Sequence, residues 1–211
     1  MKFYIDGCSE RAILLAETFG LGITTNPSIM LRDRENEGLK TIIARLRNTN
    51  VSEIFIHMET FEKHIAEELD DRFVIKVPWV AGKYEVATSF KKSGFRVCAT
   101  AVYTIEQFLS SAALGVDYVA FYFDRSKRKG LNPSELLSRF VALSRNFSTN
   151  PTLIVASLKD LDQLIEAVDQ GASHFTLPVQ LFEKLLRTSE VAAEDAAEFS
   201  RDFAKLSKEV N

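Results

Sequence analysis

The chain has 211 residues, enough for one large α/β domain or two small ones, and its 46% hydrophobic and 26% charged content is that of a soluble globular protein. A net charge of −3 supplies no global positive field for nucleic acid, and no apolar run is long enough to span a bilayer. The start, MKFYIDGCSERA, brings acidic and polar residues in before a signal-peptide core can form, and Cys8 and Cys98 fit neither a disulfide framework nor a metal cluster. A cytoplasmic protein with free thiols, no metal and no membrane partner is expected.

Short apolar runs alternate with amphipathic segments. Strands are expected at 3–6, 22–24, 53–58, 73–77, 96–99, 117–121, 152–156 and 174–176. Helical patterns run over 9–19, 39–48, 60–70, 84–93, 104–114, 133–146, 158–169 and 179–186. Ser9 and Thr104 suit N-caps, Pro133 suits a first turn, and Gly94, Gly115 and Gly171 follow helical patterns where a left-handed cap is expected. Strands that alternate with helices in this way form a parallel sheet, and eight units predict a (β/α)8 TIM barrel over residues 1–190. An open doubly wound sheet is disfavoured, because no GxGxxG or GxxxxGK[ST] turn follows an early strand. From Val191 a ninth amphipathic stretch has no strand before it. Ala196, Phe199, Phe203, Leu206 and Val210 form one stripe of a C-terminal helix over 191–211. That helix either packs back on its own barrel or reaches a neighbouring subunit.

Barrel enzymes gather their active sites at the C-terminal ends of the strands. The polar residues expected there are Asp6, Thr25, Asn26, His57, Glu59, Lys76, Thr100, Tyr122, Arg125, Ser157, Lys159 and Thr176. Lys76 stands out because it interrupts an apolar run, FVIKVPWV. Alternation puts Val74, Lys76 and Pro78 on one face and Phe73, Ile75 and Val77 on the other. If the second set meets the helices, Lys76 points into the barrel, where desolvation disfavours an ammonium. An uncharged amine there attacks a carbonyl and forms a Schiff base. The competing reading is a lysine that snorkels outward or pairs with Asp6 or Glu59.

The pieces YIDG (4–7), GITTNPSIM (22–30), VIKVP (74–78), CATAVY (98–103), VAFYFDR (119–125), VASLK (155–159) and FTLP (175–178) occur in this order. Together they resemble the small-transaldolase family, which includes enzymes like fructose-6-phosphate aldolase, from the first strand to the eighth. Deoxyribose-phosphate aldolases, another Schiff-base family, carry their lysine in a different local sequence. The resemblance implies a cofactor-free Schiff-base enzyme of the pentose phosphate pathway that moves a dihydroxyacetone unit between sugar phosphates. It implies Lys76 as the Schiff-base lysine, Asp6 as the proton-handling carboxylate and Asn26 as a hydrogen-bond partner of the substrate. It further implies Thr100 as an aid to the catalytic water and Arg125 with Ser157 as the phosphate grip, to which Lys159 is a plausible addition. Rings, commonly decamers of two stacked pentamers that exchange C-terminal helices, are the implied assembly.

Three features depart from the family pattern. His57 stands where transaldolases carry glutamate and the aldolase-like members glutamine; a histidine there can do acid–base work on a water or narrow the site. Tyr122 stands where transaldolases tend to have phenylalanine, which leans toward aldolase-type release of dihydroxyacetone. The stretch Asp124 to Gly130, read as a loop, adds Lys127, Arg128 and Lys129, either as anion capture or as a solvated face. A barrel that binds sugar phosphates without catalysis is the alternative of a different class. No nucleotide motif is present, and His57, His64 and His174 lack metal-ligand spacing.

Overall fold

The computed structural model describes residues 1–146, 151–187 and 189–207. Its strands are β1 (Lys2–Asp6), β2 (Gly22–Thr24), β3 (Ile54–His57), β4 (Phe73–Pro78), β5 (Arg96–Val102), β6 (Tyr118–Tyr122), β7 (Thr152–Ala156) and β8 (His174–Leu177). Each pairs in parallel with the next and β8 pairs with β1, so the sheet closes as a barrel in sequence order. The helices are α1 (Glu10–Phe19), α2 (Pro27–Asp33), α3 (Leu39–Arg47), α4 (Lys63–Ala66), α5 (Tyr84–Lys92), α6 (Ile105–Ala113), α7 (Phe123–Arg128), α8 (Pro133–Ser144), α9 (Leu161–Asp169), α10 (Val179–Leu185) and α11 (Glu190–Leu206). This is the expected (β/α)8 architecture with an additional C-terminal helix.

Period-two alternation builds two separate cores. Tyr4, Phe55, Val74, Cys98, Ala120 and Ile154 pack inside the barrel. Their neighbours along the strands, among them Ile5, Ile56, Phe73, Ile75, Val77 and Phe121, pack between barrel and helices. Position 22 faces inward and must be glycine: a methyl there would lie 2.6 Å from the Tyr4 ring and 2.9 Å from the Glu53 carbonyl oxygen.

The N-terminal end of the barrel is sealed by a polar network around Glu53, which the sequence places one residue before β3. Its carboxylate accepts from Lys2 Nζ at 2.8 Å, Tyr4 Oη at 2.9 Å and Tyr118 Oη at 2.6 Å, and it also takes Arg96 Nη1. Burial pushes the Glu53 carboxyl up, but these donors outweigh it and hold it below its ordinary value. Tyr4 and Tyr118 are in turn pushed up, first by burial and then by the neighbouring carboxylate.

Caps account for many boundaries. The Ser9 side chain accepts from Ala12 N, and Thr104 forms a capping box with Gln107. Pro27 and Pro133 open α2 and α8 behind Asn26 and Asn132. Four expectations are corrected. The helix expected over 60–70 shrinks to α4, since Glu62 makes no side-chain cap bond and the Glu67, Glu68, Asp70 and Asp71 acids would crowd a helix C-terminus. Asp70 instead turns the chain by accepting from Arg72 N at 3.0 Å. The stretch read as a loop after strand six is mostly α7, with Asp124 in its first turn taking Arg128 Nε at 2.8 Å. The helix expected from Leu158 begins at Leu161, capped by Asp160. Strand β5 runs on to Val102, through a register shift between Ala99 and Val102.

Helix α11 is capped by Ser189, whose hydroxyl accepts from Ala192 N at 3.1 Å. None of its residues is buried; Phe199 is 70% and Phe203 71% exposed. Among the described residues it therefore does not pack back on its own barrel. Val210 of the expected stripe lies outside the described residues. No helix among the described residues is long and apolar enough to cross a membrane.

Candidate active site

Lys76 sits in β4 with His57 as its register partner on β3 and Cys98 on β5. It shares the inward face with Val74, so its side chain enters the barrel mouth, 4% exposed, where Nζ donates to the Thr25 carbonyl oxygen at 2.7 Å. Neither competing expectation holds: the lysine does not snorkel outward, and its hydrogen-bond partner is a backbone carbonyl rather than Asp6 or Glu59. The Thr25 carbonyl fixes where the nitrogen sits, with the Asp6 carboxyl in the wall of the same cavity.

A cavity of about 140 Å³ opens above this nitrogen. Lys76, Asp6, Asn26, Tyr122, Arg125, Ser157 and Lys159 all line it. Asp6 ends β1 and its Oδ1 accepts from the Thr24 hydroxyl at 2.8 Å; Thr24 in turn meets the Thr176 hydroxyl. Burial raises the Asp6 carboxyl above its ordinary range, and the Lys76 charge only partly offsets this. A carboxyl so poised takes up a proton more readily than a solvated one. Asn26 caps α2 by accepting from Ile29 N at 3.0 Å with its Oδ1, so capping and pocket lining coexist in one residue, with the amide NH2 remaining as donor.

Arg125, the third residue of α7, stacks its guanidinium 4.8 Å from the centre of the Tyr122 ring. Ser157 adopts φ 66, a left-handed conformation that a non-glycine residue adopts only at a cost. The strain turns the chain between β7 and α9 so that Ser157 and Lys159 both reach the cavity. Lys127, Arg128 and Lys129 do not line it. Arg128 is spent on Asp124, and Lys129 lies 5.6 Å over the Tyr103 ring.

Of the nine residues given a role, two stand outside the cavity wall. Thr100 lies behind Tyr122, their hydroxyls 2.8 Å apart and buried. It is aimed there by the β5 irregularity, where Ala101 takes φ 57. His57 lines a second, larger and mainly apolar cavity of about 360 Å³, bounded by Met30, Leu31, Leu39, Ile42 and Met58 on the far side of α2. Its Nε2 is 2.5 Å from Glu59 Oε1, and Glu59 Oε2 is 2.6 Å from Lys83 Nζ. Burial lowers the His57 pKa against the pull of Glu59, which favours a neutral ring that donates through Nε2 and keeps Nδ1 as an acceptor. Glu59 lies beyond β3 and holds His57.

Sequence reasoning missed Ser28 and Arg32, which also line the 140 Å³ cavity. The signal was Asn26–Pro27, an N-cap followed by proline at the first helical position. With α2 recognised, residues 28 and 32 fall on one face at i, i+4. Among the described residues no group of three or more His, Cys, Asp or Glu side chains is disposed to hold a metal ion.

The profile of the Transaldolase/Fructose-6-phosphate aldolase family matches residues 3–210. The chain belongs to this family. Probable transaldolases from Desulfotalea psychrophila and Cytophaga hutchinsonii are 27% identical over 194 residues and 28% over 200. The alignments cover 89% and 88% of this chain and 91% and 90% of those proteins. A probable transaldolase from Bacteroides thetaiotaomicron is 29% identical over 198 residues, covering 88% of this chain and 90% of its own. Among solved structures, a mandelate oxidase with an FMN adduct superposes at TM-score 0.59 and 10% identity, covering 84% of this chain and 65% of that one. The flavin-binding domain of baker's yeast flavocytochrome b2 superposes at 0.56 and 10%, covering 84% and 57%. The chain thus spans about 57–65% of those two chains, and at such identity the likeness is one of fold. Membership makes this chain an enzyme of the aldolase/transaldolase kind.

Proposed function

We propose that the chain is a Schiff-base transaldolase acting on ketose phosphates, with Lys76 as the nucleophile. The observation that carries this is the buried Lys76 nitrogen at the floor of a cavity that also holds Asp6, Asn26 and a cationic end made of Arg125, Ser157 and Lys159. The Lys76 amine adds to the C2 carbonyl of fructose 6-phosphate, and loss of water gives a protonated imine. Asp6 takes the C4 hydroxyl proton, the C3–C4 bond breaks, and its electron pair moves through C2 to the imine nitrogen. Glyceraldehyde 3-phosphate leaves and a three-carbon enamine stays on Lys76. Addition to erythrose 4-phosphate reverses the steps, and hydrolysis of the resulting imine frees sedoheptulose 7-phosphate and the amine. No cofactor is needed, because the imine nitrogen is the electron sink.

Arg125 and Lys159 suit the phosphate: a planar fork and a point charge beside the Ser157 hydroxyl. The Tyr122–Thr100 hydroxyl pair supports a second reading, since a buried phenol beside the imine holds the water that would release dihydroxyacetone. Borohydride reduction with fructose 6-phosphate or dihydroxyacetone, followed by mass mapping, tests the nucleophile. A three-carbon increment on Lys76 is expected, and an unmodified Lys76 at saturating sugar would leave a binding barrel instead. Product analysis with and without erythrose 4-phosphate then separates transfer from release.

The exposed apolar stripe of α11 supports a homo-oligomer, decamer or pentamer, in which this helix covers a neighbouring subunit. Deleting residues 190–211 and measuring mass by light scattering tests it: an unchanged mass refutes the exchange. A cytoplasmic location and a place in the pentose phosphate pathway go with this reading of the substrates.

A further inference from the structure

Two threonine hydroxyls are buried beside the Asp6 carboxyl. Thr24 and Thr176 are each 2% exposed and belong to β2 and β8, the strands that flank β1. Thr24 is the register partner of Asp6 and Thr176 that of Tyr4, so both side chains share the inward face that Tyr4 and Asp6 occupy on β1. They meet there, Oγ1 to Oγ1 at 2.5 Å, and Thr24 Oγ1 also donates to Asp6 Oδ1 at 2.8 Å. Only closure of the sheet makes this contact, since the two threonines are 152 residues apart in the chain. Valine at 176 would fill the same space and leave no hydroxyl to satisfy.

The ionised Asp6 carboxylate fixes the direction of both bonds. It can only accept, so Thr24 spends its one hydroxyl hydrogen on Oδ1. Thr24 then has none for Thr176, and the Thr176 hydroxyl has to donate to Thr24. Among the described residues Thr24 is the one partner of the Thr176 hydroxyl. Two O–H dipoles in series thus point at the carboxylate, and in a buried site each bond strengthens the other. Burial raises the Asp6 carboxyl; Lys76 on β4, the Thr24 bond, Arg32 on α2 and Lys159 after β7 act against that rise. Tyr122 of β6 and Arg125 of α7 are the other titratable groups in the cavity wall. A base that is to take the C4 proton has to be ionised first, so the balance of these effects sets how much of Asp6 is ready.

We propose that Thr176 is a positioning residue: through Thr24 it holds Asp6 in its charged, proton-accepting form. This rests on the reading of Asp6 as the base at C4, and the test separates the two. The Asp6 carboxyl is titrated by carbon-13 NMR in aspartate-labelled, full-length wild-type, Thr176→Val and Thr176→Ser proteins, its signal assigned by its loss in Asp6→Asn. The valine variant keeps the shape and removes the hydroxyl; the serine variant keeps the hydroxyl. The Asp6 midpoint is expected to rise in Thr176→Val and to stay with wild type in Thr176→Ser. On the acid limb of the pH profile, kcat/KM for fructose 6-phosphate with erythrose 4-phosphate is expected to fall roughly 3- to 10-fold in Thr176→Val, the range of one hydrogen bond, and to recover as pH rises. Should the valine variant not fold, Thr176→Ala against Thr176→Ser isolates the hydroxyl again. An Asp6 midpoint unmoved by loss of the hydroxyl, or moved equally in the serine variant, overturns the proposal. A moved midpoint with an unmoved pH profile leaves the hold of Thr176 on Asp6 standing and refutes Asp6 as the base.

Discussion

Replacing Glu53 by alanine tests whether the two ends of this barrel have separate duties. Tyr4 is wholly buried, so losing its acceptor strands a hydroxyl at a cost of about 1–3 kcal/mol. Tyr118 is part-buried and adds about 1 kcal/mol. Lys2 and Arg96 have side chains 45% and 37% exposed, so water replaces most of what Glu53 gives them and each contributes about 0–1 kcal/mol. The sum is about 2–6 kcal/mol, which for a chain of this size lowers Tm by about 4–24 °C. The effect depends on pH. Because the folded carboxyl titrates below its ordinary value of 4.5, its contribution is present above that pH and is lost as pH falls through the folded value. Wild type and variant should therefore converge in acid. Scanning calorimetry at neutral and acidic pH gives the stability, and trapping of a Lys76 adduct well below Tm gives the chemistry. The adduct should persist, since Glu53 closes the end of the barrel away from the pocket. A Tm fall below about 2 °C, or loss of the adduct at unchanged Tm, would refute this division of duties.

Asp6→Asn should abolish turnover yet raise Tm at neutral pH, because it removes a carboxylate whose charged form burial penalises while keeping an oxygen for Thr24. With the folded value raised, wild-type stability falls as pH rises above 3.8. The gain in the variant should therefore vanish below that pH in a pH series of melts. Tyr122→Phe keeps the ring under Arg125 but removes the hydroxyl bonded to Thr100. Release of dihydroxyacetone should fall by about 10²-fold and transfer to an aldehyde acceptor by less, as read from product ratios. His57→Gln should flatten the acid side of the stability profile. A histidine titrating below 6.5 in the folded state costs stability as pH drops beneath 6.5, and glutamine does not, so denaturant titrations at pH 5 and 7.5 distinguish the two.

Most of the barrel was legible because its physics is local. Strand alternation is short-range, and Lys76 inside FVIKVPWV gave away both the inward face of β4 and the site. The ordered pieces after β1, β2, β6 and β7 located Asp6, Asn26, Arg125, Ser157 and Lys159, all of which reach one cavity. His57 and Thr100 were harder, because alternation reports which face a residue takes but not what stands between it and the substrate. Tyr122 screens Thr100, and the pull of Glu59 and Lys83 sets His57 against the neighbouring cavity. The Glu53 seal was illegible for a different reason: its four partners come from β1, β5 and β6, and only closure of the sheet brings them together.

The helices that sequence reasoning passed over, α2 and α7, each carry an arginine that lines the Lys76 cavity. Both are short, seven and six residues, so neither shows enough apolar period to be recognised. Their formation depends on end effects instead: Asn26 and Pro27 start α2, and the Asp124–Arg128 pair holds α7. A helical turn at each of these places matters to the site, because it fixes the backbone that carries a cavity-lining cation. Arg125 is pinned on Tyr122 and Arg32 on Asp33. Two short helices thus bring Arg32 and Arg125 to the cavity that Lys76 enters from β4.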